Sequence, residues 1–174
     1  MLQLRVKGEG DVRFLALAKD ALEAARGAGV PLLINDRADI ARIVGAQGVH
    51  LGQDDLKVGK ARDILPAGAI VGLSTHSEDE VQASAEEPLD YVAIGAVFPT
   101  KSKERPDPVV GLDGVRRARG LTTRPLVAIG GIGPSNAREV LEAGADGLAV
   151  ISALLGEEDL AAAARRLVSK MRPR

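Results

Sequence analysis

Polar and charged residues recur where short apolar runs of this chain end, and their types suit phosphate and metal chemistry. Gln3, Arg5 and Lys7 alternate along the first run. Side chains two residues apart share one face of a strand. Three inward polar groups are costly unless they meet a ligand, and Arg with Lys suits phosphate oxygens. Asn35-Asp36-Arg37 and Gln53-Asp54-Asp55 end two further runs. Taken singly, Asp36 and Asp55 each read as a cap for the helix that follows. Taken together at neighbouring strand ends, they are hard oxygen ligands of the kind that hold Mg2+ beside a phosphate.

Ser74-Thr75-His76 closes another run. His76 sits beside two hydroxyls, and histidine is a side chain suited to general acid/base work. His50, inside its run, reads as a structural histidine. Thr100, Lys101, Ser102 and Lys103 open a long loop after Phe98-Pro99. Two hydroxyls and two lysines suit a polyphosphate, although composition alone favours a solvated charged loop. Gly130-Gly131-Ile132 and Ile151-Ser152-Ala153 end the last two runs. Backbone amides at helix N-termini in that position can cradle a phosphate, and glycine lets it approach closely.

Composition removes other chemistries. The 174 residues carry 23 Lys+Arg and 24 Asp+Glu, a net charge of −1, which argues against general binding to nucleic acid or anionic membranes. Only Phe14, Tyr91 and Phe98 are aromatic, so a base-stacking platform is excluded and the core must be aliphatic. With no cysteine there are no disulfides, thiolate metal sites or cysteine nucleophiles. No apolar run approaches a membrane span, and the first residues do not read as a signal peptide, so a cytoplasmic protein is expected.

Positioning these residues requires a regular alternation of elements. Strands are predicted at 2–6, 31–35, 48–52, 69–75, 91–97, 126–131 and 147–152. Helices are predicted at 10–28, 40–45, 57–65, 78–86, 113–119, 135–143 and 157–171. In the first helix Val12, Leu15, Leu17, Ala18, Leu22 and Ala25 make the apolar stripe. Ser135 reads as an N-cap and Gly144 as a C-cap. Continuous apolar strands suit a parallel sheet buried on both faces. No G-x-G-x-x-G follows the first strand, which argues against an open doubly wound sheet. Polar clusters after almost every strand point instead to an α/β fold of the (β/α)8 TIM-barrel class, whose site collects the βα loops. Seven units of roughly 24 residues are visible. The barrel is therefore expected to lack its first strand and helix, with residues 1–174 forming one N-terminally incomplete domain. Apolar edges left open by that loss would favour homo-oligomers.

Jointly these motifs resemble the thiamine phosphate synthase family. The resemblance rests on Gln3-x-Arg5-x-Lys7, Asn35-Asp36-Arg37, residues 49–55 (Val-His-Leu-Gly-Gln-Asp-Asp), Ser74-Thr75-His76-Ser77, residues 97–103, Val110-Gly111-Leu112 and residues 128–132. It runs from residue 2 to about residue 155, with the motifs in the family's order. It implies a transferase that joins hydroxymethylpyrimidine diphosphate to thiazole phosphate, giving thiamine phosphate and diphosphate. By that resemblance Asp36 and Asp55 hold Mg2+, and Arg5, Lys7, Asn35 and Lys103 contact the diphosphate. Gln3 and Ser74 lie near the pyrimidine. Thr100, Ser102, Gly131, Ile151 and Ser152 receive the thiazole phosphate. Lys103, Ser74 and His76 are the catalytic candidates. Ser102 stands where the family usually has Thr. The partners implied are small phosphorylated molecules.

Two rivals remain at this stage. The related thiazole tautomerase is an isomerase that shares the barrel, and there His76 would serve as acid and base. Retention of Asp36, Asp55 and Lys103 argues against it. An incomplete, non-catalytic barrel that binds a phosphate ligand is the other.

Overall fold

A computed structural model describes residues 1–100 and 108–171. Seven strands alternate with helices: β1 (Leu2–Leu4), α1 (Asp11–Gly27), β2 (Leu32–Asn35), α2 (Ala38–Val44), β3 (Gly48–Leu51), α3 (Val58–Ile64), β4 (Ile70–Thr75), α4 (Glu78–Ala83), β5 (Tyr91–Ile94), α5 (Gly111–Leu121), β6 (Leu126–Ile129), α6 (Ala137–Glu142), β7 (Gly147–Ala149), α7 (Ser152–Leu155) and α8 (Leu160–Met171). The seven predicted strands are all present, each shorter than its apolar run. Among the described residues no helix is long and apolar enough to cross a membrane.

The chain folds as two compact units, Met1–Ser74 with Glu86–Asp90, and Thr75–Ala85 with Tyr91–Arg174. In the first, β1 to β4 pair in parallel and in chain order. Leu32, Leu33, Ile34, Val49, Leu51 and Val71 are fully buried there, as expected of aliphatic strands covered on both faces. β1 departs from that expectation: Leu2 and Gln3 are exposed. It pairs with β2 alone among the described residues, so it is an edge strand. In the second unit β5, β6 and β7 pair in parallel, over a core that includes Val92, Ile94, Leu126 and Ala128.

Three helix details differ from the sequence reading. The buried seam of α1 is Phe14, Ala18, Leu22 and Ala25, while Val12 is 85% exposed. Two residues apart on a helix is about 200° of rotation, so Val12 and Phe14 cannot share a face. Asn136, rather than Ser135, is the N-cap of α6, and Ala143 is its C-cap, with Gly144 next at φ +112°. The predicted helix at 157–171 is α8, which starts three residues later, and a short helix not expected from the sequence, α7, precedes it. α7 ends at Leu155, and α8 starts at Leu160 because the Asp159 carboxylate accepts the Ala162 N–H at 2.8 Å.

One device closes the N-terminal end of the sheet three times. The residue just before β3, β5 and β7 bonds back to the preceding strand through both backbone and side chain. Gln47 Oε1 accepts the Leu32 N–H at 2.9 Å, Asp90 Oδ2 accepts that of Val71 at 2.7 Å, and Asp146 Oδ2 accepts that of Leu126 at 2.8 Å. The backbone N–H of each returns a bond to the same residue's carbonyl. Arg62 and Arg119 then pair with Asp90 and Asp146. These clamps satisfy strand-end amides that burial would otherwise leave unpaired, and leave the opposite strand ends for chemistry.

Candidate active site

The first unit gathers most of the predicted diphosphate residues. β2 ends at Asn35, and Asp36 follows at φ +66°, a left-handed conformation that Asp tolerates better than most residues. The turn is fixed by the Asp36 N–H on the His50 carbonyl and the Arg37 N–H on the Asn35 carbonyl, both 2.8 Å. Arg37 is held in turn by Asp39 and Asp11. The N-cap of α2 is Arg37, and that of α3 is Lys57. Neither Asp36 nor Asp55 is therefore a helix cap.

Instead the two carboxyls come together. Asp55 Oδ2 accepts the Gly52 N–H at 2.7 Å. Burial first, and then the hydrogen-bonded Asp36 carboxyl, push the Asp55 carboxyl above the usual carboxylate range, against the Gly52 N–H and the Lys7 charge. Lys7 donates to Asp36. Two apposed carboxyls with a cation beside them are a hard-oxygen donor set of the type a divalent ion takes, leaving most of its coordination sphere to phosphate oxygens and water. Among the described residues no three His, Asp or Glu side chains are grouped to hold a metal. Gln3 and Arg5 are exposed on and just beyond β1, and Asn35 is half-buried.

Ser74 is more closely held than the sequence suggests. Its Oγ lies 2.8 Å from His50 Nε2, and its carbonyl accepts from Gln53 Nε2 at 2.6 Å. His50 is 6% exposed. The sequence suggests only a structural role for it, yet it contacts the hydroxyl of a predicted site residue. Its strand register, opposite Asn35 on one side and Gly72 on the other, is the signal that finds it.

The second unit carries the other predicted phosphate residues. Gly131 has φ +65°, and a Cβ there would lie 2.7 Å from Phe98 Cβ and from the Pro99 carbonyl oxygen, so only glycine fits. Asn136, not singled out from sequence, braces this loop: Oδ1 accepts the Gly133 N–H at 2.8 Å and Nδ2 donates to the Gly131 carbonyl at 3.1 Å. α6 begins only at Ala137, so loop amides rather than a helix N-terminus are available beside Gly131. Thr100 is half-buried. Ile151 is exposed and is the N-cap residue of α7, which Ser152 starts. His76 is half-buried and its Nδ1 lies 2.5 Å from the Gly95 carbonyl oxygen. Ser102 and Lys103 lie outside the described residues.

Comparison with known proteins places this geometry. The sequence model of the family described as thiamine monophosphate synthase matches residues 1–154. A thiamine-phosphate synthase from Albidiferax ferrireducens is 49% identical over 166 residues, covering 95% of this chain and 76% of that protein. One from Methanocella arvoryzae is 46% identical over 167 residues, covering 96% and 79%. A solved structure of thiamine phosphate pyrophosphorylase from Pyrococcus furiosus matches with a TM-score of 0.88 at 37% identity, covering 97% of this chain and 81% of that one. Orotidine 5'-phosphate decarboxylase from Pyrococcus horikoshii, 15% identical with a TM-score of 0.68 over 100% of both chains, shares the fold alone. The fold is of the TIM-barrel class, with seven parallel strands.

Proposed function

Because the chain belongs to the thiamine monophosphate synthase family, we propose that its strand ends divide the two substrates of that reaction between them. The chain is a transferase of the thiamine-phosphate synthase type, and the names of its relatives favour that reading over the tautomerase and the non-catalytic barrel. It joins 4-amino-2-methyl-5-hydroxymethylpyrimidine diphosphate to thiazole phosphate, releasing diphosphate.

Asp36 and Asp55 would hold Mg2+, which when bound supplies positive charge to the departing diphosphate. Arg5, Lys7, Asn35 and Lys103 bind the diphosphate oxygens and orient the pyrimidine methylene carbon for loss of its C–O bond. Gln3 and Ser74 hold the ring, with Ser74 fixed by His50 and Gln53. The bond's electron pair leaves with the diphosphate, and the ring stabilises the resulting cation. The thiazole nitrogen then attacks that carbon. Thr100, Ser102, Gly131, Ile151 and Ser152 bind the thiazole phosphate. No strong general base is needed, which fits a chain with two histidines and no cysteine. The protein acts in the cytoplasm, and Leu2, exposed on the edge strand, supports self-association.

The observation that carries the assignment is the apposed pair Asp36 and Asp55 with Lys7 beside it. Calorimetric titration with the pyrimidine diphosphate, without thiazole phosphate, tests it. Binding that needs Mg2+ and is lost in Asp36→Ala is the expected result. Equal binding in EDTA, or by Asp36→Ala, would contradict it.

A further inference from the structure

His76 is held at two atoms. Its backbone N–H donates to Glu80 Oε2 at 2.7 Å, and its ring Nδ1 meets the Gly95 carbonyl oxygen at 2.5 Å. A carbonyl can only accept, so Nδ1 carries the proton and is committed to this bond. The residue before it repeats the grip. Thr75 Oγ1 donates to the Ala93 carbonyl at 2.9 Å, and the Thr75 carbonyl accepts the Gly95 N–H at 3.1 Å. The end of β4 thus grips the chain just where it leaves β5.

Beyond Gly95 the chain lies against the loop after β6. Val97 N–H donates to the Ile129 carbonyl at 2.9 Å and Phe98 N–H to that of Gly130 at 3.1 Å. The approach is too close for side chains. A Cβ on Gly95 would lie 2.2 Å from the Ile129 carbonyl oxygen, and one on Gly130 would lie 2.7 Å from Ala96 Cα. With Gly131 under Phe98 and Pro99 as well, residues 95–99 and 129–131 form one close-packed layer. A shift of the Gly95 carbonyl therefore passes to Phe98 and Pro99, and so to Gly131 and Thr100.

We infer that His76 is a positioning residue: by holding the Gly95 carbonyl it sets residues 96–100 against Gly130 and Gly131, and so sets the affinity for thiazole phosphate. This rests on the assignment of Thr100 and Gly131 to that phosphate. His76 acts here through Nδ1 as a fixed donor and transfers no proton.

Two substitutions separate this from proton transfer. The side-chain amide of Asn places its N–H close to the position of Nδ1, whereas that of Gln places it close to Nε2. His76→Gln is expected to raise KM for thiazole phosphate on the order of tenfold, the loss of one well-placed hydrogen bond. Its kcat, its KM for the pyrimidine diphosphate and its pH profile should stay within about twofold of wild type. His76→Asn should restore most of the loss. Equal effects of Asn and Gln, a fall in kcat at constant KM, or loss of one limb of the pH profile would overturn the inference. If His76→Gln does not fold, His76→Ser, too short to reach Gly95, takes its place. Calorimetric titration with thiazole phosphate alone applies the same contrast without turnover. Failure of the wild-type chain to condense the two substrates would therefore sink the functional reading and leave this test in force.

Discussion

The buried ring of His50 reaches Ser74 from the adjoining strand, Nε2 to Oγ 2.8 Å, while Gln53 holds the carbonyl of the same serine. The hydroxyl and the carbonyl of Ser74 are thus both already engaged. Replacing His50 with Leu keeps the volume roughly constant and removes the partner of the hydroxyl. The expected result is a rise of about tenfold in KM for the pyrimidine diphosphate, the worth of one buried hydrogen bond. KM for thiazole phosphate should not move, and steady-state kinetics with each substrate varied in turn checks the split.

Asp55→Asn tests the carboxylate pair with little risk to the fold. Asn can still accept the Gly52 N–H that Asp55 Oδ2 accepts now. The variant should keep its melting temperature in EDTA yet lose the rise that Mg2+ gives the wild-type chain, since a ligand stabilises only the state that binds it. Thermal melts with Mg2+ and with EDTA measure both. An undiminished Mg2+ effect in the variant would place the ion elsewhere.

The turn at Asp36 has a pH signature of its own. The Arg37 hydrogen bond holds the Asp39 carboxyl below its ordinary value, opposed by burial. A carboxyl lowered on folding contributes stability that is present above its unfolded pKa, about 3.9, and is lost as the pH falls through the folded value. Asp39→Asn should therefore melt slightly below wild type at pH 7. The difference should shrink to nothing in strong acid. The pair is half exposed, so the effect stays at about 0.5 kcal/mol or less.

The strand clamps give the largest effect on stability and none on substrate affinity. Asp90→Ala strips the partner from the fully buried Val71 amide and from Arg62. A cost of about 1–3 kcal/mol is expected. Asp90→Asn keeps an acceptor and should cost under about 1 kcal/mol. Denaturant melts of the two variants, with KM values unchanged, check the distinction.

Much of this arrangement was legible in the sequence, and the gaps have physical causes. Aliphatic runs such as 32–34 and 126–129 announce buried parallel strands; Asp36 directly follows β2 and Ser74 lies in the last two residues of β4, while Asp55 comes four residues after β3 ends. The helical seam differs from the sequence expectation at Val12 because Ala, Val and Leu are so frequent that several stripes fit, and Phe14 decides among them only when packed. Taken singly, Asp36 and Asp55 read as caps and, taken as a pair, as metal ligands, because capping and metal binding use the same side chain; the N-caps Arg37 and Lys57 remove the first reading. His50 and the clamps of Gln47, Asp90 and Asp146 were illegible for another reason. Each bonds to a residue on a neighbouring strand, and register is a property of the folded sheet.

The most direct measurement is quantification of thiamine phosphate and diphosphate formed by the purified chain from the two substrates with Mg2+. The account predicts one thiamine phosphate for each diphosphate released, with turnover abolished by EDTA and reduced at least a hundredfold in Asp55→Asn, on the order expected for lost charge stabilisation. Release of diphosphate without thiamine phosphate, or undiminished turnover by Asp55→Asn, would contradict it.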